Sequence, residues 1–453
     1  MSNNLLLKYC DPDTVNDVAV RDLFIDEILS VRILPDVIIL PSNNQIHVGF
    51  DGEVFDILGR YIDGINPNVN YPIKNLGVNN VETDRIDGIV TDTIIYLGTV
   101  TSCWGHFFTD GFSKLWWFFT DEYKKIEKQE KLKVCYVCPY KNEIATPKPW
   151  LDLINALGLD LEIMPINDLK LYKKVYVPDN SLHMMNNHRV FTNEYELTIN
   201  KVLSTIKPNQ NKKFENLYLS RKRWTHVNAD FGERAIERLF NKVGYTSICP
   251  ELYSVGEQLA MYQGAKSIVA TSGSIAHNAV FCKKGTELII LRKGVGTFDY
   301  QEVVNQVKEL NVIYIDCHLT LFVDENVNLG PFFMYINDNV IRFFKDRYNI
   351  SVLNNFDVNQ YLEYTRLCFA KDNFYRRNQI YNGYSDYYYK KLTSEIRNKK
   401  SIYRKIYDSL DRLGLSKLKG VLKKFYCKFK RLKIILFLLL WQHIMELPIS
   451  ENN

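Results

Sequence analysis

The sequence predicts an α/β protein built on a doubly wound parallel sheet, and three observations carry that prediction. Between about residues 212 and 318, short aliphatic runs alternate with amphipathic stretches of helical period, joined by short links. The chain has 453 residues, room for two domains of ordinary size, each able to bury a core. Apolar residues make up 46% and charged residues 24%, a globular composition that excludes wholesale disorder.

Taken in order, Asn216 to Ser220 (NLYLS) reads as a strand. Phe231 to Val243 is amphipathic and stops at Gly244, after which a strand runs through Ile248. Ser254 followed three residues later by Glu257 forms a capping box for a helix reaching Gly264. Ser267 to Ala270 is a strand and Ser274 to Phe281 a short helix. Glu287 to Leu291 (ELIIL), Tyr300 to Leu310 and Val312 to Ile315 then alternate as strand, helix and strand. Ligands on such sheets sit at the carboxyl ends of the strands.

The first half is less regular. Val37 to Leu40, Val134 to Val137, Leu161 to Ile166 and Val175 to Val177 are strand-like, while Asn66 to Asn80 is rich in Asn, Pro and Gly and reads as loop. No period of a repeat architecture is visible. The expected organisation is an α/β domain over 1–208, a second over 209–320, an aromatic, helix-leaning return segment over 321–389 and a tail over 390–453.

The net charge of +5 divides unevenly. Sixteen Lys or Arg face three acids between Lys390 and Lys433, which leaves residues 1–389 at −6. An acidic body argues against one basic nucleic-acid-binding surface. Nine cysteines scattered over a long chain form no disulfide framework and suggest a reducing compartment. The first residues, MSNNLLLKYCDP, carry no basic segment before their leucines, so no secretory signal is expected. The longest apolar run, Ile434 to Trp441, falls far short of the ~20 residues that span a bilayer.

Three blocks could carry chemistry. In Cys103 to Phe119 (CWGHFFTDGFSKLWWFF), His106 and Asp110 are four apart and would share a helix face. An imidazole beside a carboxylate suits proton abstraction from a hydroxyl. The same pair also fits a capped helix with a satisfied histidine in an aromatic core. In the second block Arg221 and Arg223 follow a strand, where guanidinium groups grip phosphate oxygens, with Lys222 as a further charge; a solvated basic loop is the alternative. In the third, Ala270 to Phe281 (ATSGSIAHNAVF), a Gly273-Ser274 turn between strand and helix offers backbone N–H groups to an anion, and Asn278 adds hydrogen-bonding capacity. Ordinary helix capping explains that turn equally well.

Cys135 and Cys138 are spaced like half a zinc site but lie in an apolar strand with no second pair. His183 and His188 have no companions, and Asp11-Pro12-Asp13 reads as a turn. No metal site, P-loop or Gly-x-Ser-x-Gly elbow is expected.

In order and spacing, these blocks resemble glycosyltransferase family 61. The resemblance rests on Gly105-His106-Phe107-Phe108-Thr109-Asp110 running into Leu115-Trp116-Trp117, on Leu219-Ser220-Arg221, on Glu257-Gln258, and on Gly273-Ser274 with Asn278 and Phe281. The chain departs from the family where a second Arg usually follows the Ser-Arg, since His226 to Asp230 holds none, and where Ser272 replaces a His. The resemblance implies a GT-B-like fold with two Rossmann-like domains, an acceptor-side domain first and a nucleotide-sugar-binding domain second. It implies an inverting transferase that uses a nucleotide-sugar, needs no metal or other cofactor and acts on a glycan or lipid-linked acceptor in cell-surface polysaccharide synthesis. Asp110 would be the base, with His106 beside it. Arg221, Arg223, Glu257, Gly273, Ser274 and Asn278 would bind the donor, although Glu257 is also explained by its capping box.

The tail forms its own amphipathic pattern. Leu415, Leu418, Leu422, Phe425, Phe429, Leu432 and Leu436 recur at helical spacing among eight Lys or Arg, and an apolar run ending at Trp441 follows. Residues 415–441 are expected to lie on an anionic membrane surface, which places the enzyme peripherally on the cytoplasmic face. Coiled-coil pairing is the alternative, and no nucleic-acid partner is expected. Two other readings of the chain are another nucleotide-sugar-using enzyme and a non-catalytic membrane-tethered scaffold.

Overall fold

The computed structural model describes residues 7–11, 22–41, 54–62, 83–100, 104–105, 111–138, 148–159, 161–186, 188–205, 214–223, 230–294, 299–319, 331–357, 359–361 and 363–364. They fall into two compact units. The first comprises 1–223, 233–318 and 336–355; the second comprises 224–232, 319–335 and 356–453. The first unit holds two sheets.

The N-terminal sheet is built from β1 (Val31–Ile39), β2 (Val54–Asp56), β3 (Ile89–Thr99), β4 (Leu132–Val137), β5 (Ile163–Pro165) and β6 (Lys170–Pro178), in the order β2-β1-β6-β3-β4-β5. Here the structure departs from the expected doubly wound parallel sheet. Strands β6, β3, β4 and β5 are parallel, but β1 runs antiparallel to both β6 and β2, so the sheet is mixed. Strand β1 is longer than its apolar run because it includes Pro35 and Asp36, the latter at φ +52°. β2 pairs only with Val37–Ile39, so at Pro35 β6 alone flanks the strand, a position where a missing N–H is tolerated. A short antiparallel pair, β7 (Leu182–Met185) and β8 (His188–Phe191), follows.

The second sheet is fully parallel, as the alternation predicts. Its strands are β9 (Asn216–Leu219), β11 (Thr246–Ile248), β12 (Ser267–Thr271), β13 (Glu287–Arg292) and β14 (Asn311–Asp316), while β10 (Asp230–Phe231) stays outside it. The order β11-β9-β12-β13-β14 is that of a flavodoxin-like doubly wound sheet, whose strand order reverses between β9 and β12. All five residues of β12 are buried, because helices cover both faces of such a sheet and leave no polar side. Helix boundaries moved slightly from expectation. The helix predicted from Phe231 begins at Glu233, since Phe231 is spent on β10, and the helix predicted over 300–310 covers Asp299–Val307.

Tyr9 bridges to Ile315 beside β14 in parallel, and its carbonyl accepts from Asp316 N at 3.0 Å. The helix Asp338–Tyr348 closes over this strip: Arg342 Nη2 donates to Lys8 O at 2.8 Å, and Tyr9 meets Phe343 edge-on at 5.2 Å. Underneath lies a buried ion pair. Arg292 and Asp316 end neighbouring strands in register, stand 2.9 Å apart, and are each 1% exposed. The second carboxylate oxygen of Asp316 accepts from Asp11 N at 2.8 Å.

Within the second unit, β10 pairs in parallel with β15 (Phe332–Phe333), and Phe333 packs against Phe356, Tyr361 and Tyr364. Residues 390–453, including the amphipathic segment 415–441, lie outside the described residues, as does the loop expected over 66–80. Among the described residues no helix is long and apolar enough to cross a membrane.

Candidate active site

Two of the three sequence blocks meet where the second sheet reverses its strand order. Strands β9 and β12 are adjacent, with Leu219 opposite Ala270, so Ser220-Arg221 and Ser272-Gly273-Ser274 leave neighbouring carboxyl ends. In an open α/β sheet ligands bind in the crevice at such a point of strand reversal.

The turn after β12 follows from its residues. Gly273 adopts φ +110°, a conformation that side chains rarely take. Ser272 N donates to Leu291 O at 2.9 Å, and Ser272 Oγ accepts from Lys293 N at 3.3 Å, fastening the turn to the end of β13. Gly273 O accepts from Ala276 N at 2.9 Å and starts the 3₁₀ helix Ala276–Phe281, which is buried throughout. Ser272, Gly273 and Ser274 remain half-buried.

The loop after β9 is braced from below by two glutamates. Glu233 and Glu237, one turn apart on the helix Glu233–Lys242, are both buried on the same stripe as Ile236 and Phe240. Glu233 Oε1 accepts from Arg221 N at 2.9 Å. Glu237 accepts from Ser220 Oγ at 3.2 Å and from Lys222 Nζ at 3.0 Å. That bond to Glu237 raises the Lys222 pKa, so the ammonium stays charged and is paired with the buried carboxylate at 3.0 Å. Arg221 is half-buried and Arg223 exposed.

His106 and Asp110 lie outside the described residues, but both flanks of their segment are held. Upstream, Trp104 Nε1 donates to Asn278 Oδ1 at 2.7 Å. A Cβ on Gly105 would stand 2.7 Å from Ser274 Oγ and 3.6 Å from His277 Nδ1, so the glycine permits a close approach to the turn. His277 in turn is buried with its ring edge-on to Tyr300 at 4.8 Å, and Tyr300 shares a 2.6 Å hydrogen bond with Tyr195.

Downstream, Gly111–Phe119 is a 3₁₀ helix strapped to the stretch after β6. Ser181 Oγ donates to Ser113 O at 2.6 Å, Trp116 Nε1 to Asp179 O at 2.9 Å, and Lys114 Nζ to Pro178 O. Burial of Lys114 lowers its pKa from the ordinary 10.5 to about 8. Because the unfolded chain binds the proton more tightly, stability gained at this lysine is fully present above pH ~10.5 and is lost as pH falls toward 8. Urea denaturation between pH 8 and 10.5 should show stability rising by roughly 3 kcal/mol more in wild type than in Lys114→Met. Parallel curves for the two proteins would refute this.

The remaining predicted site residues are engaged in the structure. Glu257 completes the capping box, with Oε2 accepting from Ser254 N at 2.9 Å and from Ser254 Oγ at 2.8 Å. Asn278 is 2% exposed and uses both ends of its amide: Oδ1 receives Trp104, and Nδ2 donates to Ile275 O at 3.0 Å. Sequence reasoning missed Trp104, Glu233, Glu237 and the buried Lys293. The acids had a legible signal, since positions four apart on the apolar stripe of a helix must find partners. Among the described residues no cluster of three or more His, Cys, Asp or Glu could hold a metal ion. Cys135 is buried in β4, its thiol pushed up to about 12 by burial.

No curated protein matches the chain. Residues 104–289 match the family model Glycosyltransferase 61, a span that opens at Trp104 and takes in the loop after β9, the helix of Glu257 and the glycine turn. The chain therefore carries a family 61 glycosyltransferase domain, and the protein is a glycosyltransferase.

Proposed function

We propose that this protein is an inverting, metal-independent glycosyltransferase of GT-B type, with its nucleotide-sugar donor at the carboxyl edge of the second sheet. The observation that carries the reading is the adjacency of Ser220-Arg221 and the Gly273-Ser274 turn at the point of strand reversal. A guanidinium and free backbone N–H groups suit the two phosphates of a nucleoside diphosphate. In the reaction, Asp110, assisted by His106, takes the proton of an acceptor hydroxyl. The freed oxygen pair attacks the anomeric carbon in line, and the bond from that carbon to the diphosphate oxygen breaks. The bonding electrons leave with the diphosphate, whose charge Arg221, Arg223 and the turn stabilise.

Arg221→Ala should weaken binding of the cognate nucleoside diphosphate by about 10- to 100-fold, as expected for loss of a charge-assisted contact. Titration calorimetry checks this, and unaltered affinity would remove the assignment. Hydrolysis of nucleotide-sugars without dependence on any acceptor would instead favour a different nucleotide-sugar-using enzyme.

The proposal extends to place. The basic amphipathic segment 415–441 suits an anionic leaflet, so the enzyme works peripherally at the cytoplasmic face of a membrane, on glycan or lipid-linked acceptors of cell-surface polysaccharide. Full-length protein should float with phosphatidylserine-containing vesicles, and a variant with Lys423, Lys424, Lys428 and Lys430 changed to Glu should not. Equal flotation of the two would dispose of membrane attachment through this face.

A further inference from the structure

We infer that Trp104 and Asn278 are positioning residues: their hydrogen bond fastens the segment leading into His106 to the glycine turn, so that they govern turnover rather than donor affinity. The inference rests on the proposed transferase reading but alters the role of Asn278 within it. The family resemblance implies that Asn278 is a donor contact. In the structure it is 2% exposed, its Oδ1 accepts from Trp104 Nε1 at 2.7 Å, and its Nδ2 donates to Ile275 O at 3.0 Å. Both ends of the amide are engaged inside the protein. Each end keeps one further hydrogen-bonding position, but at 2% exposure the amide presents almost no surface to a ligand.

The bond also joins residues 174 positions apart. Asn278 belongs to the 3₁₀ helix that the glycine turn starts, and Trp104 stands two residues before His106. Gly105, one residue further on, passes close to the turn, since a Cβ there would lie 2.7 Å from Ser274 Oγ and 3.3 Å from Ser274 Cβ. Two consecutive residues just before the proposed catalytic pair are thus set against the turn and the helix it starts. The turn that receives the diphosphate is then also the anchor of the segment that receives the acceptor's proton. A shift of about 1 Å between reacting groups costs on the order of 100-fold in rate, so loosening this anchor should appear in kcat.

The test is a double-mutant cycle on the full-length enzyme. Trp104→Phe keeps the ring and removes the donor N–H, and Asn278→Leu removes the amide at similar volume. Each should lower kcat by about 10- to 100-fold while the nucleoside diphosphate Kd stays within about threefold. The double variant should be no slower than the worse single one, because the pair acts as a unit. A tenfold weaker Kd for Asn278→Leu with kcat preserved would make Asn278 a donor ligand and overturn the inference. So would losses that simply multiply. Should Asn278→Leu fail to fold, the kcat-against-Kd split of Trp104→Phe decides alone.

An activity-independent readout separates this inference from the reading beneath it. The indole ¹⁵N–¹H resonance that vanishes in Trp104→Phe should move in Asn278→Leu; an unmoved resonance shows that the bond is not made. If that resonance moves but the wild-type enzyme binds no nucleoside diphosphate and transfers no sugar, the transferase reading has failed, and the positioning role falls with it.

Discussion

Asp110→Asn is expected to lower the turnover of sugar transfer by about 10²- to 10⁴-fold, the usual contribution of a positioned general base. Nucleoside diphosphate affinity should stay within about threefold, because the proposed role of this carboxylate lies with the acceptor and only in the transition state. Asparagine keeps the size and hydrogen-bonding capacity of the side chain and removes its basicity. The acidic limb of the kcat profile against pH should therefore disappear along with the rate. Steady-state transfer assays across pH, paired with calorimetry on the diphosphate, make the separation. Full turnover in Asp110→Asn would remove it as the base. An acidic limb that persists would then point to His106 as the base.

The second large effect concerns stability. Asp316→Asn should cost about 3–5 kcal/mol, read as a lowered midpoint in urea, because it removes the negative charge opposite the Arg292 guanidinium in a site where each partner is 1% exposed. The cost of breaking the pair differs from its net worth. Two charges taken out of water recover little more than their desolvation penalty, so Arg292→Met combined with Asp316→Leu should be milder than Asp316→Asn alone. Some loss should remain in the double variant, since the carboxylate also accepts from Asp11 N at 2.8 Å. A single variant within about 1 kcal/mol of wild type would show that the interior solvates the guanidinium by other means.

The second sheet was legible because parallel strands buried on both faces read as unbroken apolar runs, as in Ser267–Thr271 and Glu287–Arg292. The capping box at Ser254 and Glu257 was legible because both partners lie within one turn. The N-terminal sheet was harder. Pro35 and Asp36 interrupt the apolar run of β1, and nothing local states that the strand runs antiparallel to β6, more than 130 residues away. Of the site, the strand-end positions of Arg221 and Gly273-Ser274 followed from pattern and spacing. The bond between Trp104 and Asn278 did not, because residue type tells that an amide needs partners but not which way it faces. Glu233 and Glu237 sit on the apolar stripe of their helix, which tells that they need partners; that the loop after β9 supplies the donors is read only from the structure.

The strip around Tyr9 sets an order of events during synthesis. Its bridge to Ile315 and the bond from Asp11 N to the Asp316 carboxylate span more than 300 residues. At about 5–20 residues per second, the ribosome takes roughly 15–60 s to deliver the partner of this strip. Until then this strip waits without its partners, exposed to other chains and to chaperones. The last stitch in the second sheet is thus made by residues translated more than 300 positions before their partners, so its completion is a late folding step set by chain topology rather than by local propensity.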